Sequence, residues 1–182
     1  THTMKLDARF ESKNEKLYAL KTGAEADTGA LIPFDSGVLS GASSEIAETE
    51  AQRFSDNSGK ILAVYVPHRA VEISENMYDE MYLAALRVFL KSIEAYGAYA
   101  IVVPISDCGA ERLTQAMCHT ARRIKDCASV IGFALPDTLT ESEATTFTDA
   151  MSAKHAHYVY FSNRHTNSSF VTYAVESGRG QS

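Results

Sequence analysis

Apolar residues along this chain fall into two kinds of run, and their alternation predicts the fold class. Residues 60–67 (KILAVYVP), 100–103 (AIVV) and 129–135 (SVIGFAL) are continuous apolar stretches with many β-branched side chains. Runs of that length predict strands buried on both faces. Residues 30–33 (ALIP) and 158–161 (YVYF) read the same way in shorter form. Between them the spacing changes to steps of three and four. Tyr82, Ala85, Leu86, Phe89 and Ile93 make one stripe over 78–96, with Gly97 at its end. Leu113, Ala116, Met117, Ala121 and Ile124 make a second over 110–125, and Ile46, Ala47, Ala51 and Phe54 a third over 43–54. A capping box beginning at Thr140 opens a fourth helix over 140–154, which buries Ala144, Phe147 and Met151. At the start, residues 5–12 alternate at Leu6, Ala8 and Phe10, which predicts an edge strand turning at Asn14-Glu15 into a second strand at 16–21. A last edge strand is expected at 170–175, within a C-terminal strand and flexible tail over 164–182.

Strands alternating with helices predict an α/β domain with a mixed or parallel sheet. Ligands in such sheets sit at the carboxyl ends of the strands. Three loops compete for that place: 35–42, 68–75 and 105–109. Pro67 and Pro104 are each expected to stop their strand, because proline cannot donate to a ladder. No linker or internal repeat divides the chain, so one domain over 4–163 is expected.

Composition narrows the class. A 45% hydrophobic, 22% charged chain of 182 residues is ordinary for a folded domain. A net charge of −6 without a Lys/Arg-rich run argues against general nucleic-acid binding. No apolar run approaches the ~18 residues a membrane helix requires. Thr1-His2-Thr3 before Met4 reads as an appended remnant rather than a signal peptide. Cys108, Cys118 and Cys127 are odd in number and form no CxxC pair, which suits a reducing compartment, cytoplasmic or nuclear.

The loop after residues 100–104 carries the most chemistry. Ser106, Asp107, Cys108 and Gly109 lead into a helix, and backbone amides there can cradle an anion. Alternatively, Asp107 is simply the N-cap of that helix. Cys108 beside a helix start has a nucleophile's setting only with a base, and His68 at the end of 60–67 is the available partner. Asp35, Ser36, Gly37 and Gly41 form either a ligand loop or an Asx turn. Arg69 is the best phosphate partner, with a solvated loop as its alternative. His155 and His157 have no third ligand near them in sequence, so neither metal nor other cofactor is expected. Phe133 and Phe161 are the aromatics that could reach a pocket and stack a base.

Residues 60–136 resemble the second half of a macrodomain. Residues 61–67 stand where that family has a V-I-H-A-V-G-P strand, and 104–109 (PISDCG) match the spacing of its P-A-I-S-T-G diphosphate loop. Upstream, 17–23 and 30–35 resemble the strands leading to G-D-I-T and N-A-A-N. The resemblance implies a three-layer α/β/α fold, a central mixed sheet with helices on both faces. It also implies a divergent module for ADP-ribose, an ADP-ribosylated protein or a related nucleotide, with Asp35, Ser36, Gly37, Gly41, Arg69, Ser106, Asp107, Cys108 and Gly109 as ligand contacts. The chain departs from the pattern at Ala24, where the family has an adenine-binding Asp, and at Asp35, where it has Asn. A glycine run is thinned to Ser40-Gly41-Ala42, and Asp107 adds a carboxylate to the loop. The alternative is therefore a degenerate copy without ADP-ribose binding that engages a protein partner. No catalytic residue is assigned, which leaves an ADP-ribosyl hydrolase as the lesser reading.

Overall fold

A computed structural model describes residues 8–165, 167 and 169–176. The chain begins with a small antiparallel sheet: β1 (Phe10–Lys13), β2 (Lys16–Ala19) and β3 (Glu25–Ala26). Asn14 and Glu15 both take positive φ, 53° and 67°, which gives the β1–β2 turn a twist that matches its strands. β4 (Ile32–Asp35) follows, then a 3-10 turn over Ser36–Leu39 and helix α1 (Ser44–Gln52), whose N-cap Ser43 accepts from the Ile46 amide. β5 (Ile61–Pro67) runs into a short helix, α2 (His68–Val71), and a hairpin of β6 (Glu72–Ser74) and β7 (Met77–Tyr78). α3 (Glu80–Ala95), β8 (Tyr99–Ile105), α4 (Ala110–Ile124), β9 (Val130–Ala134) and α5 (Glu141–Ser152) alternate as the stripes predict. β10 (Val159–Phe161) and β11 (Phe170–Val171) complete the order. The Thr140–Glu143 capping box is present. Sequence periodicity did not predict β3, α2 or the β6–β7 hairpin, which are too short to show a period. The expectations for residues 1–7 and 177–182 lie outside the described residues.

The central sheet is ordered β11-β10-β9-β8-β5-β4, and each pairing is parallel. Neighbours in space are neighbours in sequence, so the order never reverses. Right-handed crossovers of a non-reversing order put every helix on the same side. The packing agrees. One core joins Leu62, Val64, Ala100, Val102 and Phe133 of the strands to Tyr82, Leu86, Phe89, Met117, Ala121 and Phe147 of the helices. The other face carries Leu31, Ile61, Ala63, Ile101, Ile131, Val159, Phe161 and Val171, packed with Leu17, Phe10 and Ala26 of the small sheet. No helix residue belongs to this second core among the described residues. The expected mixed sheet with helices on both faces is therefore corrected to a parallel sheet with helices on one.

The two edges of the sheet also meet. Leu31 and Val175 form a parallel bridge, Leu31 N–H donates to Ala174 O at 2.9 Å, and Glu176 N–H donates to Leu31 O at 2.7 Å. At the N-terminal ends of the strands the small sheet closes the inner face. Phe10 packs edge-on against Tyr99 at 5.1 Å, and Leu17 is fully buried.

Pro104 does not stop β8. It pairs opposite Val66, one residue before the strand's end at Ile105, where a missing donor is tolerated beside the last rungs. Pro67 does end β5.

Candidate functional site at the C-terminal ends of the strands

Each strand of the parallel sheet delivers its last residues to the same end, and the sequence-predicted loops gather there. Asp35 ends β4 and is exposed; its Oδ1 accepts the Gly37 amide at 2.9 Å, which is the Asx turn. Ser36 is buried and turned inward. Its hydroxyl donates to Tyr65 O at 2.6 Å and accepts from the Tyr82 hydroxyl at 2.6 Å, tying the 3-10 turn to β5 and α3. Gly41 closes the turn with φ +73°, a conformation that favours glycine.

The predicted loop 68–75, whose first part is helix α2, and the loop 105–109 do come together. Arg69 Nη2 lies 3.4 Å from Asp107 Oδ2, with the side chains 85% and 76% exposed. Asp107 is therefore not the cap of α4. Gly109 holds the N-cap position without a side-chain bond, and Arg69 takes the Asp107 carboxylate instead. Ser106 Oγ accepts from the Cys108 amide at 3.0 Å and shares a 2.8 Å contact with Cys108 Sγ. The thiol's hydrogen-bonding neighbour is this serine, not His68.

His68 instead faces Glu72. Nε2 stands 2.7 Å from Oε1, although its N–H is not aligned to bond it. The Glu72 side chain is 1% exposed, accepts from Arg112 Nη2 at 2.8 Å and Nε at 3.2 Å, and accepts the Asn76 amide at 3.2 Å. Burial works against its charge, yet Asn76, Arg112 and His68 outweigh burial and hold the carboxyl below the usual range. This cluster fastens the β6–β7 hairpin to α4. Tyr78 stacks on His119 of α4 at 4.1 Å, and Glu80 accepts from both His119 and Arg123 at 2.9 Å, which fastens the base of α3 to the same helix.

Residues that the sequence did not single out complete this end. Tyr65 lies on the inner face of β5, two residues before its terminus, and is half-buried. Tyr173, just past β11, packs edge-on to Phe161 at 6.2 Å. Its backbone is held by Asn163, whose Nδ2 donates to Tyr173 O at 2.8 Å and whose Oδ1 accepts Tyr173 N–H at 2.9 Å. Burial pushes the Tyr173 hydroxyl up to about 12, with the charge of Asp137 and the proximity of Tyr65 adding to it. Burial raises Tyr65 as well. Asp137 follows β9 and is exposed, and Arg164 donates to its carbonyl. Tyr65 and Tyr173, from distant stretches, thus pack against one inner core, and Asp137 lies near enough for its charge to act on the Tyr173 hydroxyl. The signal in the sequence was the parity of Tyr65 within 60–67, opposite to that of Val64 and Val66; with both faces apolar, parity alone did not say which face mattered.

Among the described residues no group of three histidine, cysteine or acidic side chains is placed to hold a metal. No described helix is long and apolar enough to cross a membrane.

No protein-family model matches this chain, and no curated protein sequence does either. Solved structures do. A GH5_18 from Bifidobacterium longum subsp. infantis superimposes with a TM-score of 0.55 at 8% identity, over 73% of this chain and 42% of that one. A GH5_18 from Streptomyces cattleya in complex with GlcNAc gives 0.55 at 7%, over 80% and 48%. An alanine variant of the GH5_18 from Bifidobacterium longum subsp. longum, in complex with Manβ1-4GlcNAc, gives 0.55 at 9%, over 75% and 43%. At such identities the likeness is one of fold. The chain spans less than half the length of each of these glycoside hydrolases.

These structures overturn the macrodomain resemblance and, with it, the ADP-ribose module and its degenerate variant. The spacing of 104–109 is that of any strand, loop and helix in a parallel α/β fold. Strand order, which the spacing does not encode, separates the two families of fold.

Proposed function

We propose that the chain forms a glycoside-hydrolase-type barrel whose C-terminal mouth binds carbohydrate. The observation that carries this reading is that Tyr65 and Tyr173 pack on one inner core of a self-closing parallel sheet, with the Asp137 charge acting on Tyr173. Barrels of this kind place their sites at that end. Tyrosine rings offer flat apolar faces to a pyranose and carry a hydroxyl that bonds its oxygens, while a carboxylate accepts from sugar hydroxyls. Two of the structural neighbours are complexes with GlcNAc and Manβ1-4GlcNAc, which makes these the ligands to try first.

Binding is favoured over hydrolysis. A glycosidase needs two carboxyl groups, one kept protonated by apolar surroundings. Asp35, Asp107 and Asp137 are exposed, and the buried Glu72 is held ionised by Arg112. The test is calorimetry with GlcNAc and Manβ1-4GlcNAc on the intact chain. Binding is expected in the range of about 0.1–1 mM, weakened roughly tenfold in Tyr173→Ala. Absence of heat with either sugar at about 20 mM, in a folded sample, overturns the reading.

A further inference from the structure

One short segment, residues 162–165, ties together the stretches of chain that follow β9, β10 and β11. Ser162 comes directly after β10, and its N–H donates to Val171 O at 3.0 Å, a backbone rung toward β11. Past that rung a side chain takes over. Asn163 donates from Nδ2 to Tyr173 O at 2.8 Å and accepts Tyr173 N–H at Oδ1 at 2.9 Å, so one amide group does for Tyr173 what a neighbouring strand's backbone does. The residues on either side of Tyr173 bond elsewhere: Thr172 N–H donates to Glu15 O at 3.1 Å, and Ala174 N–H to Thr28 O at 2.9 Å. Asn163 is exposed, yet the residues around it are pinned. Ser162 and His165 are 2% and 4% exposed. Ser162 Oγ accepts the amides of Arg164 at 3.3 Å and His165 at 3.0 Å, which engages both lone pairs, so its hydrogen goes to His165 Nδ1 at 3.0 Å. His165 Nε2 stands 2.8 Å from Leu139 O, which can only accept, and this assigns a ring proton to Nε2. Arg164 donates to Asp137 O in the same loop.

We propose that Asn163 is a positioning residue for the carbohydrate mouth: touching no sugar itself, it fixes the backbone of Tyr173 and so the place of the ring that does. The proposal rests on the carbohydrate reading above. A two-bond rung fixes the direction in which the Tyr173 side chain leaves the chain, and the edge contact with Phe161 then holds the ring. Without the rung, Tyr173 is ordered only when the sugar arrives, and binding bears that entropy instead of folding. Ordering one such residue corresponds to about fivefold in affinity.

The experiment is NMR on the intact chain: hydrogen exchange at the Tyr173 amide, and titration with GlcNAc, in the parent, Asn163→Ala, Tyr173→Ala and the double variant. Because Asn163 is exposed, its variant is expected to keep the parent's circular dichroism. The Tyr173 amide is expected to be protected in the parent and to exchange at least about tenfold faster in Asn163→Ala. GlcNAc affinity should fall about fivefold in Asn163→Ala, but less than about twofold when the same substitution is made in Tyr173→Ala, since a residue acting through Tyr173 then has nothing to act on. A merely structural role would weaken both backgrounds alike. Equal losses in the two backgrounds, unchanged affinity in folded Asn163→Ala, or an unprotected Tyr173 amide in the parent overturns the proposal while leaving carbohydrate binding standing. Failure of the parent to bind GlcNAc overturns the carbohydrate reading and this inference with it, and the exchange measurement shows separately whether the Asn163 rung exists.

Discussion

The two ends of the parallel strands differ in almost everything that side chains can do. At the N-terminal end the small sheet seals the inner face with Leu17 and Phe10, which pack directly on the strands. At the C-terminal end Asp35, Asp107, Asp137 and Arg69 reach water, and apolar residues stand exposed. Both ends draw on the same strands, so sequence composition of the strands cannot account for the contrast. It comes from what the connections deliver: a sealing hairpin at one end, loops carrying charge at the other. A sealed end contributes stability, and an open end is free to carry chemistry.

Glycines give the sharpest way to break the contrast between the packed sheet and its open end. A Cβ on Gly132 would lie 1.6 Å from the carbonyl oxygen of Val159 and 2.8 Å from its nitrogen, so β9 and β10 could not keep their register. Gly132→Ala is expected to cost about 3–5 kcal/mol or to prevent folding, read from urea denaturation. At the open end, a methyl group on Gly109 would meet nothing within 4 Å, and the residue has an ordinary φ of −64°. Gly109→Ala should stay within about 1 kcal/mol, the difference between glycine and alanine at an N-cap. Equal losses at the two positions would show that the sheet and its open end are packed alike.

The elements that repeat a period were legible in the chain. The stripes over 78–96 and 110–125 became α3 and α4, and the runs at 60–67 and 129–135 became β5 and β9 to within a residue or two. Strand order was not legible, because Ile101 and Val102 read alike whether helices cover one face or both. Fold resemblance drawn from the 104–109 spacing inherited that blindness. The site was half legible. Asp35, Arg69 and Asp107 stood out as charged residues in loops, and the structure brings Arg69 to Asp107. Tyr65 and Tyr173 lay hidden in apolar or tail-like sequence, since only closure of the sheet brings residue 173 to the end of β5.

Glu72 sharpens the comparison from within the open end, where one carboxylate is buried. Its 1% exposed side chain holds Arg112 and the Asn76 amide, so Glu72→Gln should cost about 2–3 kcal/mol. The pH dependence follows from its lowered folded value. A carboxyl whose folded pKa lies below its unfolded value of about 4.3 stabilises fully above that value and loses the contribution as pH falls through the folded one. The gap between parent and Glu72→Gln should therefore be constant near neutrality and shrink from about pH 5 downward. Glu80 and Asp126 are lowered as well and add to acid lability in both proteins, so the difference between the two is the quantity to follow. A gap that persists unchanged to about pH 3 would mean the glutamine fails for reasons of shape rather than charge.

The smallest effect is expected at the most exposed charges of the mouth. Arg69 and Asp107 hold each other at 3.4 Å with both side chains mostly in water. Coulomb attraction between them is weakened by solvent and offset by the entropy of fixing two long side chains. Asp107→Asn should change stability by less than about 0.5 kcal/mol, and so should Arg69→Ala. The double variant should equal their sum, because a pair with negligible coupling has none to lose. On the carbohydrate reading proposed above, Asp107→Asn is expected to act on the ligand instead. Freed from Asp107, Arg69 presents an unpaired guanidinium to the mouth, so Asp107→Asn should improve the binding of an anionic sugar such as glucuronate relative to GlcNAc. A stability loss above about 1 kcal/mol in either single variant would show that the pair braces the two loops, and the open end would then be more rigid than its exposure implies.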